Sequence, residues 1–168
     1  MAALDDQARR LETAAAALSA LAPRVDAHAP WPLAEVFGAE PEASWGPPEL
    51  LAHVEEFLPY WIGEIERVLA GVPDAAVRFG RLQDDPLRTS VIARYRTLPH
   101  RELWARVAAD SNRVAARLRE LSAAEADRAG IHPRRGEMTI REMLEPFVVG
   151  HLEGHLTQLR EILAAAGA

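Results

Sequence analysis

The chain contains no cysteine and, because every one of its 19 basic residues is an arginine, no lysine. Without cysteine there can be no disulfide scaffold, no thiolate-held zinc or iron–sulfur centre and no cysteine nucleophile. Without lysine there is no Schiff-base residue and no Walker-type phosphate lysine. Any metal must be held by histidine and carboxylate. Positive charge is scarce as well: 19 arginines stand against 25 acids, a net −6, which argues against nucleic acid, since affinity for a phosphate backbone comes from a basic face. No run approaches the roughly 18 uninterrupted apolar residues of a membrane span. Met1 to Arg10 mixes acids and arginines with no apolar core for a secretory signal. The expectation is a cytoplasmic protein with neither nucleic acid nor membrane as partner. Its arginine- and alanine-heavy usage fits a GC-rich bacterial genome.

What is present is an ordinary globular composition, 49% hydrophobic and 26% charged over 168 residues, read as a single domain spanning 1–168. Four stretches carry apolar residues at helical spacing and none reads as a strand. The first runs from about Leu4 to Leu21 and stops before Pro23. The second starts after Ser44-Trp45-Gly46-Pro47-Pro48, carries Leu50, Val54, Phe57, Trp61, Ile65 and Val68, meets a bend at Pro59, and ends at Gly71 with Pro73 beyond. The third spans about Pro99 to Leu121. The fourth opens on Thr139-Ile140-Arg141-Glu142, a capping box, and carries Ile140, Leu144, Phe147, Leu159 and Ile162 to about Ala165. Four one-sided helices hide their stripes on one another, which predicts an all-α four-helix bundle. The connections at 22–46, 72–97 and 122–138 are long, and suit a crossover topology or loops that roof a site. The last begins with a second capping box, Ser122 to Glu125, and is expected to form one short helix ending at Gly130.

The histidines carry the functional argument. His151 and His155 lie one turn apart on the fourth helix, and both fall on its apolar stripe. Buried polar groups cost about 1–3 kcal/mol each unless partnered, so something must compensate them. Two hydrogen-bonded core histidines would do so, and so would a metal. Gly150 and Gly154 flank the pair, where small residues would admit a ligand or a neighbouring helix, and Pro146 would kink the helix that aims it. A metal needs a third ligand, and His53, on the border of the second helix's inward stripe, is the candidate. Three neutral imidazoles suit Zn²⁺, Ni²⁺ or Fe²⁺ and leave coordination positions open. Glu56, one turn after His53, and Gln158, one turn after His155, are placed to back the ligands or accept a proton, or else are a surface acid and a helix-favouring amide. His28, His100 and His132 read as surface residues, and the arginine run Arg78, Arg81, Arg88, Arg94, Arg96, interleaved with Asp84 and Asp85, as a solvated loop. The di-iron pattern Glu-x-x-His and the metalloprotease pattern His-Glu-x-x-His are both absent. The pair reads His151-Leu152-Glu153-Gly154-His155, which puts Glu153 on the far face.

Ser44-Trp45 and Glu49-Leu50-Leu51-Ala52-His53 at the second helix, with Gly136-Glu137-Met138-Thr139 leading into Gly150-His151-x3-His155-Leu156-x-Gln158, resemble the DinB-like superfamily, also described as DinB/YfiT-like. The resemblance covers nearly the whole chain. It implies an up-down-down-up four-helix bundle, a divalent metal on His53, His151 and His155, and a homodimer. Members with assigned activity use a low-molecular-weight thiol such as bacillithiol, mycothiol or glutathione. The implied function is therefore a metal-dependent hydrolase or thiol S-transferase or isomerase acting on a small-molecule substrate, in a pocket built from the loops at 22–46 and 72–97. The alternative is a non-catalytic, metal-stabilised dimeric helical module.

Overall fold

The computed structural model describes residues 3–35, 42–72 and 77–167; Pro41 and Pro73 lie outside them. Helix α1 (Asp5–Ser19) buries Ala8, Leu11, Ala15 and Leu18. Pro23 does not end the helical path, because it sits in the first turn of a second short helix, α2 (Ala22–Ala27), where its missing N–H costs nothing. Helix α3 (Pro47–Ala70) begins with Pro47 and Pro48 in its first turn and continues through Pro59. Its start is held by Glu49, whose Oε2 accepts the Gly46 N–H at 3.2 Å and whose Oε1 accepts the Ala34 N–H at 2.9 Å and an Arg96 N–H at 3.1 Å. The α3 stripe is buried as its spacing predicts, Leu50, Val54, Phe57, Trp61, Ile65 and Val68 included. Each such side chain contributes about 1.5–3 kcal/mol relative to exposure.

The stretch 72–97 is not a solvated loop throughout. Helix α4 (Pro86–Tyr95) occupies its second half, capped by the Asp85 carboxylate accepting the Arg88 N–H at 3.0 Å. Asp85-Pro86 is a helix start signal of the ordinary kind, a capping residue followed by proline in the first turn. Arg88 within it is buried, and Arg81 and Arg96 are half-buried. Helix α5 (His100–Glu120) follows, burying Leu103, Val107, Val114 and Leu118.

The expectation of no strand also fails in one place. The Ser122–Glu125 capping box starts α6 (Ala123–Ala126), but that helix stops short of Gly130. An antiparallel hairpin follows, β1 (Ala129–His132) paired with β2 (Gly136–Thr139) in the register Ile131 to Glu137. Residues 77–79 run alongside β1: Ile131 N–H donates to the Val77 carbonyl at 2.8 Å and Phe79 N–H to the Ile131 carbonyl at 3.2 Å. Strands of four residues are too short to display an alternating pattern, and the bonds on the outer edge of β1 come from a segment some fifty residues away.

The Thr139–Glu142 capping box starts α7 (Ile140–Leu144) as read. The fourth predicted helix is then interrupted by a π turn over Glu145–Val149 before α8 (Gly150–Ala165). Pro146 is the physical cause in the sequence: it has no N–H to donate and its ring displaces the carbonyl four residues earlier, so the turn widens. The widened turn re-phases the apolar face. From the turn onward the core side is Val148, Val149, Leu152, His155, Leu156, Leu159 and Leu163, while Phe147, His151 and Ile162 move to its border.

Helix α1 packs on α5 and α8, and α3 packs on the same two helices. Arg10 of α1 ties across to Glu145 at 2.9 Å and Glu153 at 2.6 Å, which places Glu153 on the side away from the imidazoles, as expected. The described chain is of the all-α class with one small hairpin. Among the described residues, no helix is long and apolar enough to cross a membrane.

Candidate metal centre

Helices α3 and α8 pack together, and the contact brings His53 to His151 and His155. The His53 and His151 Nε2 atoms are 3.0 Å apart, and those of His155 and His151 are 3.2 Å apart. Nitrogens bound to one tetrahedral Zn²⁺ at about 2.0–2.1 Å stand roughly 3.3 Å from each other, so the spacing is close to that of a ligand set, and it is also within hydrogen-bond range from one imidazole to the next. All three ligand atoms fall within 4.8 Å of one another, a group that could hold a metal ion.

The groups behind the imidazoles aim them. The Gln158 amide N–H donates to the Glu42 carbonyl at 2.8 Å, which turns its oxygen toward His155, and His155 Nδ1 donates to that oxygen at 2.9 Å. The Nε2 of His155 then carries the lone pair. Behind His53, the Glu56 Oε2 atom is 3.6 Å from Nδ1, and neither atom has a hydrogen-bond partner. That gap is roughly half an ångström beyond hydrogen-bond range. The other Glu56 oxygen accepts from Arg81. Glu56 is therefore no solvated surface acid: it is buried, and burial raises its carboxyl above the usual range against the opposing pull of Arg81. Glu56 and Gln158 both approach Nδ1 atoms, on the side opposite the converging Nε2 atoms.

The cluster is electrically neutral for a physical reason. Burial pushes His53 well below its ordinary value, with His155, Arg88, His151 and Arg81 adding to the effect. Burial, then His155 and Arg88, push His151 down to about 3. His155 is lowered by burial, against the contrary pull of Gln158 and Glu42. Neutral imidazole is the form that binds a metal. Aromatic rings wall the group: Trp45 lies 5.3 Å from the His53 ring, and Phe57 lies 5.3 Å from His53 and 4.7 Å from His151.

A cleft of about 510 Å³ opens over His53 and His151, a size typical of small-molecule sites. His155 does not line it, since the π turn leaves His151 at the border of the core and keeps His155 inside. Two partners that sequence reasoning missed complete this end of the cleft. Glu42 places Oε1 3.8 Å from His53 Nε2, and buried Arg88 holds the same carboxylate at 2.6 Å. No local spacing links position 42 to position 53 or 88, so no pattern announced them.

His132 is the other correction. It is buried, not a surface residue, and it lines the cleft, whereas His28 is exposed and His100 half-buried. Its Nδ1 accepts the main-chain N–H groups of Arg134 at 3.2 Å and Arg135 at 3.3 Å. Its ring stacks 4.9 Å from Phe147, which itself lies 4.2 Å from Trp61 at 9°. Gly80 permits this placement: it has a φ of +79°, and a Cβ there would stand 2.5 Å from the His132 ring. The flanking glycines behave differently from expectation. At Gly154 a Cβ would meet nothing within 4 Å, and at Gly150 it would meet the chain's own Glu145 carbonyl at 2.6 Å, so neither serves a close-approaching ligand or helix.

Comparison of the chain with protein-family models, with curated proteins and with solved structures finds no match.

Proposed function

We propose that the chain is a divalent-metal-dependent enzyme of the DinB-like kind, with His53, His151 and His155 as the metal ligands and the four long helices α1, α3, α5 and α8 as an up-down-down-up bundle. The observation that carries this reading is the convergence of three neutral imidazole Nε2 atoms beneath an open cleft. Imidazole donors suit Zn²⁺, Ni²⁺ or Fe²⁺. A divalent ion held by three neutral ligands keeps its full charge and supplies Lewis acidity, lowering the pKa of a water or an exogenous thiol that reaches it. The chain has no thiol of its own, so thiol chemistry needs a diffusible cofactor of the bacillithiol or mycothiol class.

The protein's residues then have separable tasks. Gln158 fixes the His155 tautomer, and Glu56 stands where it can take the His53 Nδ1 proton into a hydrogen bond. Trp45 packs against the His53 ring, and Phe57 against the rings of His53 and His151. Arg88 positions the Glu42 carboxylate on the cleft side of His53, where it can accept a proton. The reaction class is hydrolysis or S-transfer on a small molecule, in a cytoplasmic homodimer. The test is metal content of untagged protein by mass spectrometry, followed by titration of the Co²⁺ form with 2-mercaptoethanol. About one equivalent of metal, falling below about 0.2 in His53→Ala, with a thiol-dependent change in the Co²⁺ spectrum, is expected. Metal below 0.2 equivalents in the parent protein overturns the reading. Metal without any spectral response to thiol, or any water-dependent turnover, favours the structural module.

A further inference from the structure

Four arginines line the cleft, Arg81, Arg88, Arg134 and Arg135, and the last two carry charge that the metal-centre reading does not use. The nearby carboxylates are committed: Glu56 to Arg81, Glu42 to Arg88, and Glu64 to the Gly80 N–H at 2.5 Å and Arg67 at 3.1 Å. Asp85 caps α4. Among the described residues no carboxylate pairs with Arg134 or Arg135. Both sit on the exposed β1–β2 turn, and the Arg135 guanidinium rests 5.2 Å from the Phe147 ring centre, over the cleft wall. On a chain of net charge −6, two unpaired cations facing one cavity are a local reversal of sign, of the kind that focuses an anion.

A second, independent observation lies beside them. The two main-chain N–H groups that bond His132 Nδ1 leave its proton on Nε2, and that buried donor has no partner. Buried donors are nearly always satisfied, so this orphan, on a residue that lines the cleft, is a donor that a ligand's acceptor could satisfy. Trp61, Phe147 and His132, which stack on one another, line the same cleft.

We propose that this cleft binds a carboxylate-bearing organic molecule, its anionic group held at Arg134 and Arg135 and its other end reaching His53 and His151. The inference rests on the metal-centre reading for what happens at the imidazole end, and on the arginine rim for the class of ligand. Guanidinium–carboxylate pairs are often bidentate and fix orientation as well as affinity. Glu42, already neutralised by Arg88, does not repel such a ligand.

The test compares mercaptosuccinate, a thiol with two carboxylates, with neutral 2-mercaptoethanol on the Co²⁺-loaded protein, followed by thiolate-to-cobalt absorption. The dicarboxylate is expected to bind at least about tenfold more tightly. In R134A/R135A that advantage should fall below about twofold, with cobalt content and the 2-mercaptoethanol titration unchanged. Both substitutions are at exposed positions and keep the main-chain bonds to His132. Equal affinities in the parent protein, or an advantage that survives in the double variant, overturn the proposal. Where no cobalt is retained, the metal reading fails by itself, and succinate calorimetry on the metal-free protein decides the rim. Binding that is lost in R134A/R135A upholds it, and the absence of binding overturns it.

Discussion

The two glycines beside the histidine pair should respond to alanine in opposite ways. Both are helical, and on an ideal helix each would gain about 0.8–1 kcal/mol from Gly→Ala, because alanine has less backbone freedom to lose. At Gly154 nothing lies within 4 Å of the new Cβ, so the whole gain should appear. At Gly150 the Cβ would stand 2.6 Å from the Glu145 carbonyl oxygen and 2.9 Å from Glu145 Oε1. The Glu145 side chain can swing away, at the expense of its pairing with Arg10. The carbonyl belongs to the π turn and cannot move without re-forming it. Relief therefore demands a backbone shift, typically about 1–3 kcal/mol for overpacking, which exceeds the propensity gain. Urea unfolding of Gly150→Ala and Gly154→Ala measures both. The prediction is a net loss of up to about 2 kcal/mol at 150 and a gain of up to about 1 kcal/mol at 154. Because the π turn sets the direction of His151, Gly150→Ala should also lower metal content while Gly154→Ala leaves it intact. A Gly150→Ala protein as stable as Gly154→Ala, with full metal, would refute the claim that the turn orients the site.

Two further expectations follow from the groups around the imidazoles. Gln158→Ala and Glu56→Ala should each weaken metal binding by about 10- to 100-fold without abolishing it, read by competition with a chelator, since partners of ligands act at this scale; unchanged affinity in both would remove their assigned roles. The pH dependence has a definite sign. The site histidines have folded pKa values below 6.5, so below that pH the unfolded chain binds more protons, and stability of the metal-free protein falls as pH drops through 6.5. Each imidazole contributes roughly 1 kcal/mol per pH unit, while the raised carboxyls of Glu55, Glu56 and Asp110 pull the other way. Replacing His151 and His155 by Gln should therefore flatten the decline in urea midpoint between pH 7.5 and 5.5, and an unchanged slope would count against it.

The sequence by itself determined the long helices and, for α1, α3 and α5, their inward faces. The stripes of α1, α3 and α5 and the capping boxes at Ser122 and Thr139 are local features, set by side chains within three or four positions of each other, and they can be read from spacing. The candidate ligands His53, His151 and His155 were legible for the same reason, as imidazoles lying on otherwise apolar stripes. Tertiary structure alone decided that their Nε2 atoms converge, because 98 residues separate His53 from His151. It also decided which polar groups are buried. Arg88 and His132 look like surface residues in a charged run and a loop, and become cleft walls because α4 and the hairpin fold back on α3. The phase of the fourth helix belongs to both levels. Pro146 announces an interruption, yet only the π turn it produces sets His151 at the core's border, facing the cleft, and His155 within the core.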